Sequence, residues 1–203
     1  MASGFLERLN EGPLLGDGGY FLELERRCLG SFDKGVPWAV LDHPEGLLEL
    51  HREFARAGAE VLQAMAWGVG KLDRDDELHR TAVELAREAA GPDRFVAGTL
   101  SPAGIGQYQR RSPITEKERA EAQAFFERRV GQQVAAGVDL FIVETFYSVE
   151  EASLGLPYIK DAGVPAVVTL VYKSGEYTSD RFLPDEAVKR LVDHGADVVG
   201  ISC

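Results

Sequence analysis

Several short apolar runs in this sequence end on residues able to do chemistry. Glu144 directly follows Leu140-Phe141-Ile142-Val143, a run that belongs in a core. A carboxylate placed there costs on the order of several kcal/mol unless it is paired. A bound substrate ammonium would pair it, and so would an arginine reaching across from a neighbouring element. Asp17 sits in Gly16-Asp17-Gly18-Gly19. Glycines let a backbone approach a ligand closely and free its N–H groups for anions. The same tetrapeptide also reads as a tight turn closed by an Asx hydrogen bond. Cys203 ends another apolar run. Its thiolate could ligate zinc, and the alternative is a small buried core residue. Trp38, in Gly35-Val36-Pro37-Trp38, and Trp67 fall on loops. They could cage a methylated cation or pack as a lid.

Other reactive residue types are less suggestive. Cys28 falls at an apolar helical position and reads as core. His43, His51, His79 and His194 lie in helices or at their starts and read as surface residues. There is no HxxxH or CxxC spacing from which to argue a local metal site. The strand ends carry no lysine, which counts against Schiff-base chemistry of the aldolase kind.

The elements that must position these residues alternate between β-branched runs and longer helical patterns, the signature of βα units around a parallel sheet. Strands are expected at Leu14–Gly18, Glu60–Ala66, Phe95–Leu100, Asp139–Glu144, Ala166–Tyr172 and Asp197–Cys203. Helices are expected at Tyr20–Leu29, His43–Ala57, Asp75–Ala90, Thr115–Ala136, Val149–Ala162 and Pro184–His194. A loop is expected over Gly30–Asp42. Thr115 and Glu118 have the spacing of a capping box, while Gly155 and Pro157 should distort their helix. The phrases Ala57-Gly58-Ala59, Ala136-Gly137-Val138, Ala162-Gly163-Val164 and His194-Gly195-Ala196 each read as a helix C-cap glycine leading into a strand. This recurrence, without a Gly-rich dinucleotide fingerprint, favours a (β/α)8 TIM barrel over a doubly wound sheet. The reading is an α/β fold with about the first six βα units of the barrel, where eight make a complete one. Its site belongs at the carboxyl ends of the strands.

Composition fits a single soluble domain over residues 1–203. The chain is 45% hydrophobic and 27% charged, which excludes disordered and low-complexity classes. A net charge of -11 argues against nucleic acid and anionic membrane as partners. No apolar run approaches a bilayer span, and the N-terminus lacks a secretory pattern, so a cytoplasmic location is expected.

The ordered set GDGGY with LELERR, VPW, DHPE, LHREFARAGAEVLQ, VDLFIVETFYSVEEA, GVPAVVTL and GADVVGISC resembles the homocysteine S-methyltransferase family, most closely its betaine–homocysteine branch. The resemblance implies a (β/α)8 barrel and transfer of a methyl group from a small methylated donor to the thiol of homocysteine, giving methionine. It implies that Glu144 holds the acceptor's amino group and that Asp17 and Gly18 lie against its amino-acid end. Trp38 would help bind the donor. Cys203 would be one of three cysteines holding zinc, the other two being an adjacent pair that this sequence does not contain. Ala64 stands where the family has a threonine, and Thr145 where the betaine branch has a tyrosine. These two departures widen the donor expectation to betaine-like or sulfonium compounds. The chain is expected to be the N-terminal portion of a barrel that self-associates through unpaired strand edges. By itself it should hold zinc weakly and transfer no methyl group. The alternative is a non-catalytic, truncated barrel that binds an amino acid or assembles with a partner chain.

Overall fold

The computed structural model describes residues 4–30, 37–68, 74–106, 113–172 and 176–202. In chain order the elements are α1 (Phe5–Glu11), α2 (Tyr20–Arg26), α3 (Ala39–Asp42), α4 (Pro44–Arg56), β1 (Val61–Gln63), α5 (Asp75–Ala90), β2 (Phe95–Leu100), α6 (Glu116–Ala136), β3 (Leu140–Phe146), α7 (Val149–Asp161), β4 (Ala166–Leu170), α8 (Pro184–Asp193) and β5 (Val198–Ile201). Strand order follows chain order, β1-β2-β3-β4-β5. The pairings of β1 with β2, β3 with β4 and β4 with β5 are parallel. β2 is buried almost continuously, as a parallel strand covered on both faces requires. Among the described residues, no helix is long and apolar enough to cross a membrane.

The chain divides into two compact units, one of residues 1–99 with 132–140 and one of 100–131 with 141–203. In the first, Leu47, Leu50, His51 and Ala55 form the buried face of α4, at the spacing an amphipathic helix uses. Val61 of β1 pairs with Phe95 of β2. The Arg94 guanidinium donates to the Ala55 and Ala59 carbonyls at 3.2 and 3.0 Å, tying the end of α4 to the start of β2. In the second unit, β3, β4 and β5 run side by side. Phe126, Phe146, Leu156 and Ile159 are fully buried there. Ser148 caps α7 by accepting from the Glu151 amide, and Asp180 accepts from the Ser148 hydroxyl and the Glu150 amide, each at 2.9 Å.

Several expectations need correction. The strand at Leu14–Gly18 is a single bridge, Gly16 to Val61, with the Glu60 and Val61 amides bonded to the Leu15 carbonyl. Two adjacent glycines end the pairing there. Of the loop expected over Gly30–Asp42, residues 31–36 lie outside the described residues and Ala39–Asp42 forms α3, while α1 precedes the first expected element. Gly155 and Pro157 do not interrupt α7. A Cβ on Gly155 would lie 2.6 Å from Leu100 Cδ2, so the glycine serves close packing. Cys28 is exposed, not core. It sits just past α2 at φ 57, with the Cys28 and Leu29 amides bonded to the Glu25 and Leu24 carbonyls. That is a Schellman cap, built on a cysteine in the position usually given to glycine. His51 and His79 are fully buried, not on the surface. The capping box is present: the Thr115 amide donates to Glu118 at 2.8 Å, and the Glu118 amide to the Thr115 hydroxyl at 3.3 Å. Gly58, Gly137, Gly163 and Gly195 all have positive φ, as helix-ending glycines should.

Candidate functional site

In the first unit the Asp17 carboxylate is half-buried where the Gly16 bridge ends. Its Oδ2 accepts from the Tyr20 hydroxyl at 2.5 Å and from the Gln63 amide at 2.6 Å. The Asp17 amide donates to the Val61 carbonyl at 3.1 Å. The aspartate thus joins the chain before α2 to the carboxyl end of β1, rather than closing a local Asx turn. Gly18 passes so close to α4 that a Cβ on it would lie 2.8 Å from Phe54 Cε1. Steric crowding therefore requires glycine here. Tyr20, the first residue of α2, packs edge-on against Phe54, and its hydroxyl is 2.5 Å from His51 Nδ1.

The polar chain continues beyond Gln63. Gln63 Nε2 donates to the Thr99 hydroxyl at 3.0 Å, and that hydroxyl donates to the Ala64 carbonyl at 2.6 Å. The Gln133 side chain accepts from the Thr99 amide and donates to the Thr99 carbonyl, both at 2.8 Å. Thr99 and Gln133 are almost fully buried. Their mutual bonding explains how such polar side chains survive there.

Burial, then the charge and hydrogen bond of Asp17, raise the Tyr20 hydroxyl far above the usual phenol range. Burial pushes the His51 imidazole down to about 4. Both groups are therefore neutral at neutral pH.

Trp38 is half-buried at the start of α3 and lines a cleft of about 180 Å³ with Phe21, Leu24, Asp42, His43 and Met65. Trp67 packs edge-on to Phe21 at 6.1 Å between centroids, one ring removed from that cleft. An aromatic wall with an acid at its rim suits a small cation.

In the second unit Glu144 is half-buried in β3. Val143 pairs with Val168 and Phe146 with Leu170, so β3 carries one residue more than β4 across this stretch. The extra residue makes a bulge at Glu144-Thr145, and Thr145 takes φ 64. A β-branched residue in the left-handed region is strained, and such strain gathers at functional sites. The Thr169 hydroxyl, between the two paired positions on β4, is buried with no hydrogen-bond partner among the described residues. Ser202 Oγ, just past β5, likewise has no hydrogen-bond partner among the described residues.

Glu151 is a different kind of carboxylate. It is buried on α7 and accepts from the Gly104, Ile105 and Gly106 amides at 2.9, 3.1 and 2.8 Å. Burial raises its pKa and these amides oppose the rise. It pins the loop after β2 and reads as structural.

Sequence reading singled out Asp17, Gly18, Trp38 and Glu144 but missed Tyr20, His51, Gln133 and the Thr145 bulge. Tyr20 was visible as the residue after GDGG, and His51 as a polar residue on the apolar face of α4. Cys203 lies outside the described residues. Among the described residues, no three of His, Cys, Asp and Glu approach closely enough to hold a metal ion. They do not by themselves make a zinc site.

The chain is 35% identical to betaine–homocysteine S-methyltransferase 1 of Danio rerio, over 98% of this chain and 51% of that protein. It is 33% identical to S-methylmethionine–homocysteine S-methyltransferase BHMT2 of Pongo abelii, over 98% and 54%. The chain spans about half the length of these curated relatives. The oxidized form of the homocysteine methyltransferase MmuM from Escherichia coli superposes with a TM-score of 0.82 at 25% identity, covering 98% of this chain and 76% of that one. The likeness assigns the fold to the (β/α)8 barrel class. The sequence pattern described as homocysteine S-methyltransferase matches residues 14–203, and on that match the chain belongs to the homocysteine S-methyltransferase family.

Proposed function

We propose that this protein transfers a methyl group from a small, positively charged methylated donor to the thiol of homocysteine, giving methionine. The observation that carries the reading is the Asp17 cradle at GDGG, which lies inside the family match over residues 14–203. Asp17 and Gly18 are assigned to the amino-acid end of homocysteine, and Glu144 to its ammonium. A carboxylate at this strand bulge can form a charge-assisted bond to an ammonium. Trp38, with Asp42 at the rim of the same cleft, is assigned to the donor's positive charge.

Methyl transfer forms a bond from the acceptor sulfur to the methyl carbon. It breaks the bond from that carbon to the donor's nitrogen or sulfur, which leaves as a neutral amine or thioether. Cys203 is assigned as one zinc ligand, a soft donor of the kind zinc accepts. Zinc, when bound, would favour the thiolate form of homocysteine at neutral pH. The donor is left between two classes. One relative is named for betaine and the other for S-methylmethionine. Ala64 departs from the threonine expected of the family and Thr145 from the tyrosine expected of its betaine branch.

The test is methionine formation by the full-length protein, with any sequence its gene encodes beyond Cys203, supplied with zinc, homocysteine and either betaine or S-methylmethionine. Production of methionine with at least one donor is expected. No methionine with either would overturn the reading.

A further inference from the structure

The Asp17 cradle contains two groups that the proposed chemistry does not use, Tyr20 and His51. The Tyr20 hydroxyl has one proton and two neighbours at 2.5 Å, Asp17 Oδ2 and His51 Nδ1. A carboxylate can only accept, so it takes the phenol proton. His51 Nδ1 must then carry its own proton and donate it to the phenol oxygen. This fixes the imidazole as the neutral Nδ1–H tautomer. Its other nitrogen, Nε2, is left as a bare lone pair. That agrees with the structure, where His51 Nε2 is buried with no hydrogen-bond partner among the described residues and the ring is fully enclosed. A protonated ring would need a second acceptor at Nε2, and burial disfavours the imidazolium as well.

We propose that Tyr20 and His51 are positioning residues for the homocysteine site, a directional chain in which His51 Nδ1–H orients the Tyr20 hydroxyl and that hydroxyl holds the Asp17 carboxylate. The inference rests on the reading that Asp17 serves the acceptor. The Tyr20 ring is fixed by its edge-on contact with Phe54 and its 4.7 Å centroid distance to His51. Phe54 is also the residue that crowds Gly18. One aromatic side chain of α4 therefore sets both the phenol and the backbone beside Asp17. The Gln63 amide supplies the second donor from β1. With donors from α2 and β1 converging on one oxygen, the carboxylate cannot rotate without breaking a short bond. Donor chains of this kind strengthen each other in a buried setting.

The direction of the chain gives it a distinctive test. Tyr20→Phe keeps the ring and removes the hydroxyl. It should weaken homocysteine binding about tenfold in calorimetric titration of the full protein, while KM for the methyl donor stays within about twofold. His51→Leu leaves Tyr20 able to reach Asp17 and should weaken binding by about threefold. In the Tyr20→Phe background, His51→Leu should cause no further loss, because His51 acts only through the phenol. A purely structural role would instead move both substrates together and make the two losses multiply. If the wild-type protein binds no homocysteine, the functional reading falls and this inference falls with it. If wild type binds and Tyr20→Phe titrates identically, or the double variant shows the product of the single losses, the positioning chain alone is overturned.

Discussion

Asp17 and Glu144 are both carboxylates that follow apolar runs, and the backbone around them differs. Asp17, in the first unit, is fixed by side chain and amide donors: the Tyr20 hydroxyl and the Gln63 N–H converge on one oxygen. Glu144, in the second unit, lies in a backbone bulge that leaves Thr145 at φ 64. A hydrogen-bonded anchor depends on the protonation and tautomer of its partners. A bulge depends on the packing that keeps the strand from slipping back into register. The two sites should therefore fail differently, one to chemistry and the other to backbone relief.

The largest effect expected is on catalysis. Asp17→Ala and Glu144→Ala should each lower kcat/KM for homocysteine about a thousandfold, or about 4 kcal/mol, as loss of a paired charge does. They should differ in stability. Asp17→Ala leaves the Tyr20 hydroxyl and the Gln63 amide without their acceptor and should cost about 2 kcal/mol. Glu144→Ala leaves the bulge in place and should stay within about 1 kcal/mol of wild type. Urea melts beside the kinetics check both. Equal destabilisation by the two variants would remove the contrast.

The second effect is acid sensitivity of the Asp17 region. His51 titrates at about 4 in the folded protein against its ordinary 6.5. Between those values the unfolded chain binds more protons, so folded stability falls as pH drops from about 6.5 to about 4. The full difference is on the order of 3 kcal/mol. Urea midpoints across that window should show this slope, and His51→Leu should remove its share. A slope that survives the substitution would mean that His51 is not the group responsible.

The fold was legible in the sequence because its signals are local. The helix from Asp75 to Ala90 and the strand from Phe95 to Leu100 appear with the bounds that periodicity and the Gly91-Pro92 stop imply. Asp17 and Glu144 were legible as polar residues where apolar runs end. What could not be read was pairing between distant positions. His51 lies 31 residues from Tyr20, and helical spacing alone makes it only a histidine in LHREF. Glu151 occupies the third position of a capped helix, where a capping box would turn it back on Ser148. It instead reaches a loop 45 to 47 residues earlier in the chain. Cys28 was misread because a hydrophobic residue type at helical spacing does not reveal that the helix has already ended. The bulge at Thr145 escaped because nothing in ETF marks a left-handed residue. A glycine there would have done so.

That last point gives the smallest and sharpest test of the contrast. Thr145→Gly places at φ 64 the one residue that adopts it without steric cost. Relief of the left-handed strain is worth about 1–2 kcal/mol, and the extra freedom of glycine in the unfolded chain returns about 0.5–1 kcal/mol of that. The net expectation is a protein more stable by roughly 0.5–1 kcal/mol. Homocysteine should bind about threefold more weakly, since a relaxed bulge no longer restricts where Glu144 points. A gain in thermal midpoint together with that loss of affinity would show that the second unit trades backbone ease for position. A destabilised Thr145→Gly would instead mean that contacts of the threonine side chain hold the bulge.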